Sequence, residues 1–306
     1  MQLSTRAGRH ILWKGIRRRW QLYLVVLLPV VYIIVFKYIP MYGAQIAFRE
    51  FTVLNNGDWV GFKYFRQFFD SPLFGRLVGN TLSLSIYSLL AGTPIPILIA
   101  LALNEISSRR YRKTIQFVIY APHFISTVVL VSMVMQFLSP HNGLLGNIVQ
   151  LFGGKSVNFM GVPAYFRHIY VWSGIWQNTG YSSVIYIAAL AGISPELYEA
   201  AVVDGANRMQ RIWHVDLPGI LPTVIIMLIM NTGRLMSVGF EKIFLMQNPI
   251  NQQVSEVIAT YVYKIGLVGL NYSFSTAVGL FNSVINLVLL VTVNFIAAKV
   301  GETSLW

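Results

Sequence analysis

The chain contains no cysteine among its 306 residues, which excludes disulfide frameworks, zinc-thiolate sites, iron-sulfur clusters and thiol nucleophiles together. Charge is nearly as scarce. Only 11% of residues are charged, 23 Lys or Arg against 11 Asp or Glu, whereas a soluble domain needs roughly 25% to hydrate its surface. Hydrophobic residues make up 55% and the mean hydropathy is +0.60, the composition of a chain embedded in a lipid bilayer. The formal charge of +12 would by itself suit nucleic acid, but little water-exposed surface is left to carry such a patch. Lipid headgroups and topology account for the basic excess, and no nucleic-acid partner is expected.

A hydrocarbon core of about 30 Å takes roughly 20 apolar residues as helix. Six intervals between charged residues qualify. They are Trp20 to Phe36, Leu77 to Asn104, a stretch from Thr114 closed near Leu138 by turn formers from Ser139 to Gly143, His168 to Pro195, Leu217 to Gly233 extended past Arg234 to about Phe240, and Ile265 to Val300. The expected fold is therefore an all-α membrane protein of six transmembrane helices. The first span is followed by Lys37, Tyr38 and Pro40 without a small-residue cleavage site, so it reads as an anchor and not a signal peptide. With the N-terminus inside, thirteen Lys or Arg fall on the inner side and nine on the outer, while Arg234 lies within a span. The inner ones sit in short segments, which decide orientation, so both termini are expected to be cytoplasmic. The organisation read from this is a basic tail over 1–19, one membrane domain over 20–300 with a cytoplasmic loop at 192–218, and a short tail over 301–306. The outer segment from Met41 to Arg76 carries Phe62, Tyr64, Phe65, Phe68, Phe69 and Phe74, read as an amphipathic helix on the membrane or a docking surface for an external partner.

Chemistry-bearing motifs are missing. Gly153-Gly154-Lys155-Ser156 is not a P-loop, because the first glycine of that motif, separated by four residues from Gly154, is replaced by Val149. No His-Glu-x-x-His or Gly-x-Ser-x-Gly pattern occurs, so neither metal hydrolysis nor a triad has its parts. The expectation is a non-enzyme without a cofactor of its own.

The loop after the fourth span is informative. Ser194 is an N-cap candidate with Pro195 at the first helical position, and Glu196 and Glu199 place negative charge near the positive helix end. Asp204-Gly205 is a turn dipeptide, Ala200, Ala201 and Ala206 are small enough for close approach by another protein, and Leu217-Pro218 is expected to break a second helix before span five. Alone, this fits an ordinary amphipathic connector as well as a docking element. The spacing Glu199-Ala200-Ala201, Gly205, Val215, Leu217-Pro218 resembles the coupling motif of permeases of binding-protein-dependent ABC importers, with Val215 where isoleucine is commoner.

The resemblance covers nearly the whole chain and lies nearest the maltose-type carbohydrate permeases. Within these it is similar to the branch associated with uronate-containing oligosaccharides such as alginate, through Tyr38-Ile-Pro-Met-Tyr-Gly-Ala-Gln-Ile-Ala-Phe48, Ala100-Leu-Ala-Leu-Asn-Glu105, Ala121-Pro-His-Phe-Ile-Ser126, Tyr186-Ile-Ala-Ala-Leu-Ala-Gly192 and Ser304-Leu-Trp306. Met246-Gln-Asn-Pro249 departs from the Gly-Gly-Pro turn of maltose-type relatives. The resemblance implies a type I importer permease fold in a bacterial cell (inner) membrane. It also implies ATP and Mg on a partner dimer of ATP-binding subunits, a second permease, an extracytoplasmic solute-binding protein and an oligosaccharide substrate. Glu199, Ala200, Ala201, Asp204, Gly205, Ala206, Leu217 and Pro218 would then couple to the ATPase.

Polar groups inside spans are costly and are candidates for lining a pathway. Asn231 and Arg234 are three apart and expected on one helix face. Arg234 reads either as snorkelling or ion-paired, or as a cavity arginine that meets a hydroxyl or carboxylate. In span four Gln177, Asn178 and Tyr181 share a face opposite Trp172 and Trp176. Asn178, Gly180 and Tyr181 also lie where maltose-type relatives keep sugar contacts, with hydrogen bonding between helices as the structural alternative. Gly279, Asn282 and Asn286 read as a packing stripe and His123 as a cap at a kink. The competing classes are a permease for neutral oligosaccharides, a secondary transporter, and more distantly a membrane enzyme or scaffold. The secondary transporter lacks the intramembrane carboxylates that ion coupling needs.

Overall fold

The computed structural model describes residues 18–52, 57–140, 142–154, 157–301 and 304–305; most of the basic tail, Lys155, Ser156 and Trp306 lie outside them. The described residues are mostly helical, with an antiparallel bridge between Arg49 and Trp59. Four helices are long and apolar enough to cross a membrane, α1 (Trp20–Phe48), α3 (Phe74–Asn104), α9 (Arg208–Thr232) and α13 (Tyr272–Gly301). Two bent pairs bring the number of spans to as many as six when each pair counts as one, α4 (Arg109–Phe124) with α5 (Thr127–Phe137), and α7 (Pro163–Ala191) with α8 (Pro195–Val203).

The bends have local causes. Pro122 cannot donate within the helix, and Ser126 caps a new one by accepting from the Val129 N–H at 3.4 Å, so the third span turns by 97° instead of running straight from Thr114 to Leu138. α7 starts at Pro163, a residue suited to the first helical position, five residues before the expected His168. Its 29 residues are enough to span on their own, and α8 leaves it at 72°.

Span five also differs from expectation. Leu217-Pro218 does not break it, because α9 runs through from Arg208 with a π turn at Ile212–Asp216, where the Leu217 N–H reaches back five residues to the Ile212 carbonyl. The widened turn accommodates a proline whose ring would clash in a regular helix. A similar π turn, Ile34–Tyr38, precedes Pro40 in α1. α9 ends at Thr232, so Arg234 stands in the turn beyond the span and not within it. The last span starts at Tyr272 and not at Ile265, since Ile258–Val268 is a helix of its own, closed by Gly269 and by Leu270 at φ 56°.

The outer aromatic segment is not one amphipathic helix lying on the membrane. It forms a 3-10 stretch, Tyr42–Phe48, and a short helix, α2 (Lys63–Phe69), folded against α13. Tyr64 and Phe68 are buried with Leu77, Phe274 and Val278, and the Phe68 ring meets Phe74, Phe274 and Phe281 edge-on. The stretch Trp20–Met41 of α1, by contrast, has no buried residue.

Between these spans lie α6 (Leu144–Leu151), α10 (Phe240–Met246), α11 (Gln252–Ser255) and α12 (Ile258–Val268). A polar cluster ties the last two to the bundle. The buried Glu256 accepts from Arg76 at 3.3 Å and Lys264 at 3.1 Å, Asn80 donates to the Gln253 and Glu256 carbonyls, and Arg167 donates to Asn80.

Candidate functional site

Two regions carry the features singled out in the sequence. The first is the hairpin formed by α8 and the start of α9. Ser194 accepts from the Glu196 N–H, and Pro195 opens α8. The helix ends in a pair of closing bonds, Ala206 N–H to the Ala201 carbonyl at 2.8 Å and Gly205 N–H to the Val202 carbonyl at 3.0 Å, with Gly205 at φ +77°. This is the left-handed helix stop that glycine adopts without strain. Asn207 and Gln210 then cap the next helix reciprocally, at 2.9 and 2.7 Å. Behind the hairpin, the buried Asp216 accepts from the Tyr198 hydroxyl, and Arg208 and Arg211 both approach Glu105 at 4.0 Å. Burial, and then the Asp216 carboxylate, push the Tyr198 hydroxyl up to about 12, so it remains a donor. Gly219 lets α9 approach the turn between α7 and α8, since a Cβ there would stand 2.5 Å from Ile193.

The outward surface of the hairpin is apolar. Val203 is 86% exposed, and Leu197, Val202, Met209 and Trp213 are each more than half exposed. Glu199, Ala200, Asp204 and Gly205 are exposed too, and Glu199 has no ion pair among the described residues. A cleft of about 280 Å³ runs between the arms, lined by Ala201, Asp204, Gly205 and Ala206 with Arg211 and His214. The large apolar residues escaped the sequence reading, which looked for small ones; their clustering between acidic and basic neighbours was the available signal.

The second region is a groove inside the bundle. One cavity of about 350 Å³ is lined by Ser85, Ser88, Tyr170, Ser182, Tyr186, Asn231 and Arg234, and a neighbour of about 270 Å³ by Gly174, Gln177, Asn178, Thr179 and Lys242. They share Ser88, Gly92, Pro96, Tyr170 and Ser182, so they form one polar groove between α3, α7 and the end of α9. No Asp or Glu lines either cavity.

Arg234 is positioned by its turn. Ser85 donates to the Leu235 carbonyl, Asn286 accepts from the Met236 N–H at 2.9 Å and donates to Ser237 at 2.9 Å. Asn286 on α13 thus holds the turn, in keeping with a packing role. Asn231 and Arg234 do line one cavity, but through a helix end and its turn instead of a continuous helical stripe.

The expected polar face of span four is divided. Asn178 lines the groove, yet its side chain also meets the His123 ring at 3.1 Å, and Tyr181 stacks on that ring with centroids 4.1 Å apart. Gln177 donates to the Ile125 carbonyl at 2.8 Å. Gly180 is buried against α4, where a Cβ would lie 2.0 Å from the Ile119 carbonyl oxygen. Tyr181 and Gly180 therefore hold the broken third span instead of lining the groove, and His123 joins that contact instead of capping its own helix. Lys242 was not singled out in the sequence. It sits on α10, outside the spans, and donates to the Tyr170 carbonyl at 2.8 Å.

The comparisons place this geometry. The model of the family described as "Binding-protein-dependent transport system inner membrane component" matches residues 92–302. The chain is 39% identical to Protein LplB of Bacillus subtilis, over 98% of this chain and 96% of that one. It is also 39% identical to the polygalacturonan/rhamnogalacturonan transport system permease protein YteP of the same organism, over 97% and 94%. Among solved structures it superposes with a TM-score of 0.88 and 42% identity, over 95% of this chain and 99% of the other, on a chain of a bacterial ABC transporter involved in the import of the acidic polysaccharide alginate. It matches a chain of the alginate transporter in complex with an alginate pentasaccharide-bound periplasmic protein with a TM-score of 0.89 and 41% identity, over 96% and 99%. The fold is that of a type I ABC permease, and the chain belongs to the family of binding-protein-dependent transport system inner membrane components, as a multi-pass transport subunit of an ABC importer.

Proposed function

We propose that this permease forms half of a translocation pathway for an acidic, uronate-containing oligosaccharide, completed by a second permease and supplied by an extracytoplasmic solute-binding protein. ATP hydrolysis, with Mg, takes place on two ATP-binding subunits seated on the hairpin over 192–218, with both chain termini on the same, cytoplasmic side. In this reading the membrane domain spans 20–300 between tails at 1–19 and 301–306. The exposed Val203, Trp213 and Met209 cover apolar surface on the ATPase, and Glu199 finds a partner there. Gly205 permits the stop, Ala200, Ala201 and Ala206 allow close approach, and Leu217-Pro218 carry the motion into span five through the π turn. The work of this chain is mechanical, alternating access and not bond chemistry.

The observation that carries the substrate class is the groove under Arg234. It is lined by hydroxyls and amides suited to sugar oxygens, and it holds a guanidinium that has no carboxylate partner among the described residues. A planar guanidinium suits bidentate contact with a uronate carboxylate. The relatives that transport acidic polysaccharides support the same reading. Reconstitution with the partner subunits in liposomes tests it, comparing uptake of a uronic acid trisaccharide with its fully methyl-esterified, neutral form. Preferential uptake of the acid is expected, and equal uptake of both overturns the acidic class in favour of a neutral-sugar permease.

A further inference from the structure

Lys242 has no ion pair among the described residues. It does not lie on a span, yet α10 folds it back so that its ammonium reaches into the groove from the side of α7. The Nζ donates to the Tyr170 carbonyl at 2.8 Å and lies 4.8 Å above the Tyr170 ring. Space for it is made by Gly174, where a Cβ would come within 3.1 Å of the Nζ. An ammonium has three N–H donors, and only the bond to Tyr170 is satisfied by the protein among the described residues. No carboxylate pairs with it there, and the neighbouring Glu241 is not part of the lining.

Such a group is costly to keep. Burial pulls its pKa down to about 8, so the charge is present at neutral pH without a counter-ion. A lysine needed only to pin α10 to α7 would be served by the single bond to Tyr170, whereas the lining around it offers the hydroxyls of Ser88 and Ser182, groups that can meet sugar oxygens. Arg234 stands in the adjoining cavity behind the shared wall of Ser88, Tyr170 and Ser182.

We propose that Lys242 forms a second anion subsite in this groove, which takes one uronate carboxylate of the substrate while Arg234 takes another, so that the permease reads a substrate with at least two acidic sugars. This rests on the acidic-oligosaccharide reading above. A consequence is that substrates with a single carboxylate engage one cation at a time and lose the advantage of the pair.

The complete transporter in liposomes tests this with Lys242→Gln and Lys242→Arg, each assayed with the uronic acid trisaccharide, the same trisaccharide carrying a single free carboxylate, and the full methyl ester. The binding protein is identical in every case, so a changed ratio between substrates arises in the permease. Lys242→Gln is expected to lower the preference for the triacid over the monoacid by about tenfold, the loss of one charge-assisted hydrogen bond, and Lys242→Arg to restore most of it. A readout independent of transport is carbodiimide coupling of the trisaccharide. Each activated carboxylate would form an amide with a nearby amine and release the urea, so the peptide bearing Lys242 should gain one sugar adduct, competed away by unactivated trisaccharide. A uniform fall for all three substrates in Lys242→Gln, or labelling of other lysines with none on Lys242, makes it a packing residue and overturns the proposal. If Arg234→Gln changes the acid preference while Lys242→Gln does not, the second subsite fails and the acidic reading stands; if the wild-type transporter shows no acid preference at all, that reading fails.

Discussion

Around Glu256 the carboxylate and its two cations pair within the chain, whereas in the groove and on the hairpin the chain leaves charges and apolar surface without a partner among the described residues. Glu256 is 6% exposed on its side chain and lies between Arg76 and Lys264, with Gln252 completing its oxygens. Arg234, Lys242 and Glu199 lack ion pairs among the described residues, and Val203 and Trp213 stand open to solvent. On the function proposed above, the difference separates polar groups that hold the fold from those kept for another molecule. Removing one partner of a buried pair is costly because the other is stranded, so polar residues of the first kind should report in stability. Those of the second kind should report in transport.

The sharpest way to break this division is at the hairpin. Gly205→Pro imposes a φ near −65° where +77° is observed, a change of about 3 kcal/mol or more. Uptake should fall by about a hundredfold while membrane insertion stays near wild type; normal substrate-stimulated ATPase activity in the assembled variant would remove the hairpin from the coupling path. Glu256→Ala comes next and should act the other way, lowering unfolding stability in detergent by about 2 kcal/mol, since its two cations are partly exposed and screened. Unchanged stability together with lost uptake would move Glu256 into the working group. Arg234→Ala is expected to reduce uptake of an acidic trisaccharide about tenfold more than that of its neutral ester, with little change in stability. A large loss of stability with no change in preference would make Arg234 structural. The smallest effect is expected from Trp213→Ser, a loss of a few-fold in co-purification of the ATP-binding subunit, in line with truncation of one peripheral apolar contact. No change in co-purification would mean that Trp213 faces lipid.

The hairpin was legible in the sequence almost to the residue, because helix caps, the turn dipeptide and the coupling motif are all local patterns. Ser194, Pro195 and Gly205 each act on backbone within a few positions of themselves, whereas the reciprocal cap of Asn207 and Gln210 was not read from the sequence. The groove was only half legible. Asn178, Asn231 and Arg234 were found because polar residues stand out within apolar runs, but Tyr181 and Gly180 turned out to face the broken third span, a contact between segments some sixty residues apart. Lys242 was hidden by the same logic that finds spans, since a charge outside an apolar run is assigned to a surface. Only the fold shows that a short helix brings it back. Span limits erred where a break depends on a cap or a π turn, as at Ser126 and Asp216, for which hydropathy carries no signal.

The π turn at Ile212–Asp216 sets the phase between hairpin and groove. It places an additional residue in the helical winding, and each residue turns an α-helix by about 100° and advances it by about 1.5 Å. Asn231 and the turn bearing Arg234 are therefore geared to Gly205 through one rigid helix whose angular setting depends on that additional residue. Deleting a single residue within the π turn would leave every side chain of the motif and of the groove present, yet face Asn231 away from Ser88 when the hairpin is held fixed. The hairpin and the cavity are meshed by a count of residues, and that count shapes the chain as much as the residues themselves.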